Sequence, residues 1–232
     1  MAVKRVHADV VVMAAVLLWV SSMLVINAHD ISKSVASLCR GGLRTLTDWQ
    51  TLTTERNPII GRQTAKMTIM EFVDYQCPYC ARVDPIIVDF ATRHSSDVAV
   101  YRYNLPLQQI HPHAYQAAIA ANCAEVQGVR EPYQSALFLH QKEFATIDWT
   151  VLAKQNGVQD TEGFSRCVKE EKPRDHILKD IKTAESLGIE GTPSFIINGT
   201  LYTSGLNEEM LESHYKEMDR KEHGFMHRLF NM

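Results

Sequence analysis

The chain has 232 residues, 45% hydrophobic and 22% charged, enough apolar chain to bury a core without a disulfide framework. Its 24 basic and 27 acidic residues give a formal net charge of −3, which excludes a general nucleic-acid binder with its marked basic excess. Five cysteines are too few for a disulfide-rich mini-protein, and their odd number leaves at least one thiol unpaired within a monomer.

Lys4 and Arg5 precede an apolar run from Val10 to Ile26 broken only by Ser21 and Ser22. Residues 1–28 therefore read as a transmembrane signal anchor or a cleaved signal peptide. Either one leaves the two basic residues in the cytoplasm and exports the rest, to a place where disulfides persist. Residues 29–58 are polar and mixed, with Gly41-Gly42 and a solitary Cys39, and read as a spacer.

The folded part is expected over residues 59–220. Met67 to Asp74 is a short, largely apolar run whose length fits a buried strand. Beyond Cys80, the spacing of Val83, Ile86, Ile87, Phe90 and Ala91 predicts a helix with one buried face, kinked at Pro85. Val98 to Tyr103 reads as a second strand. A helical block follows. Ala114–Gln127 carries Tyr115, Ile119, Cys123 and Val126 on one face, and further helices are expected over Pro132–Glu143, Thr150–Gln155 and Glu162–Glu170. Pro173 opens another helix that Gly188 caps. Ser194 to Ile197 is a strand, Asn198-Gly199 a hairpin turn, and Leu201 to Thr203 the return strand. Asn207–Arg220 is a closing helix, and residues 221–232 are a tail.

Cys77-Pro78-Tyr79-Cys80 stands between the first strand and the first helix. Two thiols about one helical turn apart can close a disulfide with each other, and a helix N-terminus favours the thiolate of the first. Cys77 is thus the expected nucleophile and Cys80 the resolving thiol. Pro78 suits the first helical turn, and Tyr79 is placed to reach a substrate. A zinc site would need a second pair at matching spacing, and Cys39, Cys123 and Cys167 are far apart. Gly191-Thr192-Pro193, just before a strand, is a candidate for a cis peptide bond. His111 and His113 read as loop residues, and Asn198-Gly199-Thr200 is explained as a turn rather than a glycosylation acceptor.

Glu71 to Cys80, Leu105-Pro106-Leu107, Ala117 to Gln127 and Gly191 to Gly199 together resemble the DsbA-type thiol–disulfide oxidoreductases, over about residues 57–220. The resemblance implies an α/β thioredoxin fold with a helical insertion at about residues 108–172. It implies that Cys77 attacks, Cys80 resolves, Pro193 is cis, and Thr192 flanks the thiols and contacts substrate. Glu71 takes the place of the family's buried acid beneath the thiols, against the alternative of a carboxylate in solvent. Cys123 and Cys167 are expected either as a structural disulfide or as two buried thiols. No cofactor is implied. The implied partners are exported proteins with free thiols, a quinone-linked re-oxidising membrane protein, and the membrane itself through residues 10–26. A reductase or isomerase on the same fold, or a non-catalytic chaperone-like module, remains the alternative.

Overall fold

The computed structural model describes residues 44–203 and 205–230, with side chains to residue 220. The expected anchor, Cys39 and the first half of the spacer, residues 29–43, lie outside the described residues. Among the described residues, no helix is long and apolar enough to cross a membrane.

Five strands form one mixed sheet: β1 (Arg44–Thr45), β2 (Met67–Val73), β3 (Val98–Asn104), β4 (Ser194–Ile197) and β5 (Thr200–Tyr202), in the order β1-β5-β4-β2-β3. β2 and β3 run parallel and β4 lies antiparallel to β2. Every residue of β2 and β3 is buried, which explains runs too apolar for a strand with one wet face. The parallel pair requires a crossover, supplied by helix α1 (Pro78–Arg93). This helix runs through the exposed Pro85 and buries Cys80, Asp84, Ile87, Phe90 and Ala91.

The segment 44–58 corrects the spacer reading. β1 pairs with β5, and Leu46, Trp49 and Leu52 pack on the core beside Tyr103 and Ile196. A two-residue strand has no periodicity to betray it. The Asn198-Gly199 turn has positive φ at both residues, 43° and 88°, and Trp49 sits so close to Gly199 that a Cβ there would overlap its ring.

Four helices form the block between the two halves of the sheet: α2 (Ala114–Val126), α3 (Arg130–Leu139), α4 (Trp149–Gln155) and α5 (Thr161–Lys169). The expected single helix 132–143 is instead α3 followed by a separate 3-10 turn, Gln141–Glu143. α2 is buried on nearly every side rather than on one face, because its alanines let neighbours approach all round. Val126, expected inward, is 79% exposed. Asp148 and Asp160 cap α4 and α5 through their side chains. α6 (Arg174–Ser186) leads back to β4, and Gly188, at φ 62°, ends it as expected. The closing helix α7 (Glu208–Phe230) extends ten residues past the expected boundary at 220 and into the expected tail. α1 and α7 cover one face of the sheet around Met67, Ile69, Phe195 and Leu211. α6 covers the other around Met70, Phe72 and Ile196.

Cys123 of α2 and Cys167 of α5 are joined by a disulfide across a sequence separation of 44 residues. Replacing both with alanine is expected to lower stability by about 2–4 kcal/mol, the range for closing a loop of this size in the unfolded chain. Urea unfolding reads it, and an unchanged midpoint would show that the bond restrains nothing.

Candidate active site

Cys77 is the N-cap of α1, in extended conformation (φ −73°, ψ 121°), and Pro78 occupies the first helical position. The strand before it and the proline after it determine this geometry. Pro78 has no N–H to satisfy, and its ring presets the helical φ. Cys77 shows a 3% edge to solvent and Cys80 none, while Tyr79 is 60% exposed with the Arg82 guanidinium stacked on its ring. The outer thiol is therefore the one a large partner can touch.

Two thiols so close in sequence differ sharply in acidity. The Cys77 thiol is lowered to about 5 by a hydrogen bond from Cys80, against burial, and then by the Cys80 N–H, Thr192 and the Tyr79 N–H. Cys80 is pushed far up, first by burial, then by its bond to Cys77 and the charge of Glu71. The arrangement stabilises one thiolate at Cys77 and holds the proton on Cys80.

The Thr192–Pro193 peptide is cis and brings the Thr192 carbonyl to 3.4 Å from the Cys77 sulfur. The 192–193 turn is thus beside the thiols, more than a hundred residues away in sequence. Its Ser194 hydroxyl donates to the Gly191 carbonyl at 2.7 Å, which ties the turn to itself.

Glu71 is fully buried, not a solvent carboxylate. It faces Arg102 directly across the β2–β3 pair, and Arg102 Nε donates to Glu71 Oε2 at 2.8 Å. Arg102 also donates to Gln134 Oε1 at 3.0 Å and is paired with Asp84 of α1. Burial opposes the charge of Arg102, but Glu71 and Asp84 hold it above the ordinary range. Burial likewise raises Glu71, beyond what Arg102 offsets, and Glu71 Oε1 has no hydrogen-bond partner. A buried acid with a free oxygen, close enough for its charge to act on Cys80, can hold or release a proton beneath the thiols.

Sequence reasoning missed the supports of the loop. The buried Asp74 carboxylate accepts from the Gln76 N–H at 2.7 Å and the Leu107 N–H at 2.9 Å, and meets His111 Nδ1 at 2.8 Å. His111 is therefore an anchor of the redox loop, not a bystander. Gln76 accepts from the His113 N–H at 2.7 Å. Gln141 reaches over from the helical block to the carbonyls of Tyr75 and Cys77. No local pattern announces contacts across 33 to 66 residues. Among the described residues, no group of three or more His, Cys, Asp or Glu side chains is placed to hold a metal.

A family model described as Thioredoxin matches residues 53–216. The Na(+)/H(+) antiporter NhaA 3 of Salinispora tropica is 30% identical over 159 residues, which make up 68% of this chain and 24% of that protein. The chain thus spans about a quarter of the length of such curated relatives. BdbD from Bacillus subtilis superposes with a TM-score of 0.63 at 18% identity, covering 77% of this chain and 98% of its own. DsbA2 from Pseudomonas aeruginosa does so with a TM-score of 0.50 at 27% identity, covering 68% and 92%. The matched family, the sheet with its helical block, and the paired thiols at a helix start agree: the chain belongs to the thioredoxin family and shares the fold of BdbD and DsbA2.

Proposed function

We propose that the chain oxidises cysteine pairs in exported proteins, outside the cytoplasm, through a Cys77–Cys80 disulfide. The observation that carries this reading is the acidity split between the two thiols. A substrate thiolate attacks the Cys77 sulfur, the Cys77–Cys80 bond breaks, and Cys80 leaves with the electron pair and takes a proton. The second substrate thiolate then attacks the substrate sulfur of the mixed disulfide and expels Cys77 as a thiolate. The substrate has lost two electrons and the protein pair has gained them. A leaving thiol of low pKa speeds the second step, and a stabilised thiolate in the product makes the disulfide a stronger oxidant.

In this reading Glu71 exchanges the proton of Cys80, Thr192 and Pro193 offer a ledge to an extended substrate segment, and Pro78 and Tyr79 contact substrate. A membrane quinone-linked protein takes the two electrons away. The extracytoplasmic address rests on the apolar run 10–26, and the Cys123–Cys167 disulfide suits an oxidising compartment.

The test is the equilibrium potential of the pair against glutathione at several pH values. Strong oxidants of this chemistry lie at about −120 to −180 mV, and a value near about −270 mV would reverse the direction and favour the reductase reading. The pH slope carries its own sign. Above about pH 5 the reduced pair holds one proton, on Cys80, so reduction takes up one proton and the potential falls by about 30 mV per pH unit. Below that pH, Cys77 binds a proton as well, and the slope doubles to about 60 mV per unit. A doubled slope that persists to pH 8 would show that Cys77 is an ordinary thiol.

A further inference from the structure

We propose that Gln141 is a positioning residue: its side-chain amide locks the redox loop by donating to the Tyr75 and Cys77 carbonyls, so that the helical block sets the acidity of Cys77. The proposal rests on the reading of Cys77 as the exchange-active thiol. Gln141 opens the 3-10 turn after α3, and its Nε2 lies 2.8 Å from Tyr75 O and 2.9 Å from Cys77 O. An amide nitrogen carries two hydrogens, one for each carbonyl. Two facing carbonyls also decide the orientation of the amide, since its oxygen would repel both.

The other restraints on this loop come from residues 107–113 and from the loop's own backbone. Asp74 and Gln76 are tied through their side chains to residues 107–113. The Cys77 N–H bonds the Asp74 carbonyl at 3.0 Å, and the Cys77 carbonyl receives the first helical bond, from Ala81 at 3.2 Å. Gln141 adds the contact from the helical block to the backbone of the reactive cysteine. Phe138, one turn earlier, packs its ring 5.3 Å from that of Tyr75, so the segment 138–141 grips the loop at two points. Pinning the peptide planes after Tyr75 and Cys77 keeps the Cys77 sulfur over the Tyr79 and Cys80 amides that stabilise its thiolate. Without the amide, the loop can rotate at Cys77, and the thiolate loses part of that support. A carboxylate in its place adds repulsion from both carbonyls and from the thiolate itself.

The test compares Gln141→Met, which keeps bulk and removes the donors, with Gln141→Glu, which keeps shape and reverses the interaction. The rate of Cys77 alkylation against pH gives its pKa, and thermal unfolding monitors folding. Gln141→Met is expected to raise the Cys77 pKa by about half a unit and Gln141→Glu by about one. These shifts lower the alkylation rate at pH 4, and the oxidising equilibrium against glutathione at pH 7, by about threefold and tenfold. Lys142→Ala, in the same turn, leaves the pKa in place. Shifts below about 0.2 units in both variants, with lowered melting temperature, would make Gln141 a structural strut and overturn the proposal. If Gln141→Glu fails to fold, Gln141→Met decides alone. An ordinary Cys77 pKa in the unsubstituted protein would instead sink the functional reading itself, so the two failures are distinct.

Discussion

Arg102→Met is expected to remove about 3–5 kcal/mol of folding stability at neutral pH, the range for breaking a buried ion pair by deleting one partner. The guanidinium is 3% exposed and lies between Glu71, 0% exposed, and Asp84, 5% exposed. Methionine fills much of the volume but leaves two carboxylates in the core with no cation. The loss depends on pH in a stated direction. Glu71 already has its folded pKa raised above 4.5 by burial, so the folded state holds that proton better than the unfolded chain does. The stability linked to that proton is present below pH 4.5 and lost as pH rises through the folded value. Removing Arg102 enlarges the effect, so the variant is most damaged at neutral pH and recovers part of its deficit towards pH 4. Adding Glu71→Gln restores part of the deficit at neutral pH, since it deletes a charge that has lost its partner. Urea unfolding at pH 4 and 7 reads this. An equal loss at both pH values would reduce Arg102 to a packing residue.

That network also marks the limit of what the sequence reveals. Strands β2 to β5, the helix after the thiols, the hairpin at Asn198-Gly199 and the Gly188 cap were legible, because each depends on neighbours within a few residues. So was the pairing of Thr192-Pro193 with Cys77, although only the resemblance connected two segments so far apart. Arg102 stands in a run, Val98 to Tyr103, that reads from the sequence simply as a strand. In the fold β3 has no polar face, and Arg102 is buried because Glu71 stands beside it in register. Asp84 falls off the apolar stripe of α1 as read from the sequence, yet it lies inward because Arg102 needs it. Each of these residues is unfavourable in isolation and satisfied only by a partner from another element, so no single stretch of sequence can disclose it. The same reasoning covers Asp74 with His111, and the two-residue β1, whose partner β5 lies more than 150 residues away.

The largest functional effects are expected at the two thiols, and they differ in kind. Cys77→Ser is expected to slow oxidation of a two-thiol peptide by about a thousandfold or more, because no other described thiol has both an edge at the surface and a stabilised thiolate. Cys80→Ser leaves the attacking sulfur intact and deletes the group that releases the bound partner. This variant is expected to react once with glutathione disulfide, form a bond between Cys77 and glutathione with release of a glutathione thiolate, and stay there. Intact-mass measurement shows a persistent single adduct, and peptide mapping places it on Cys77. The buried environment of Cys80 explains the division of labour. Its raised pKa keeps it protonated until the Cys77 sulfur is engaged in a mixed disulfide, whereupon its proton must leave before it attacks that bond and frees the partner. An adduct on another cysteine, or a Cys77→Ser protein that keeps more than about a tenth of the rate, would move the chemistry away from this pair. A Cys77→Ser, Cys80→Ser protein that retains full function in cells would go further. It would leave a binding module that presents the ledge at Thr192-Pro193 to unfolded chains and uses neither sulfur.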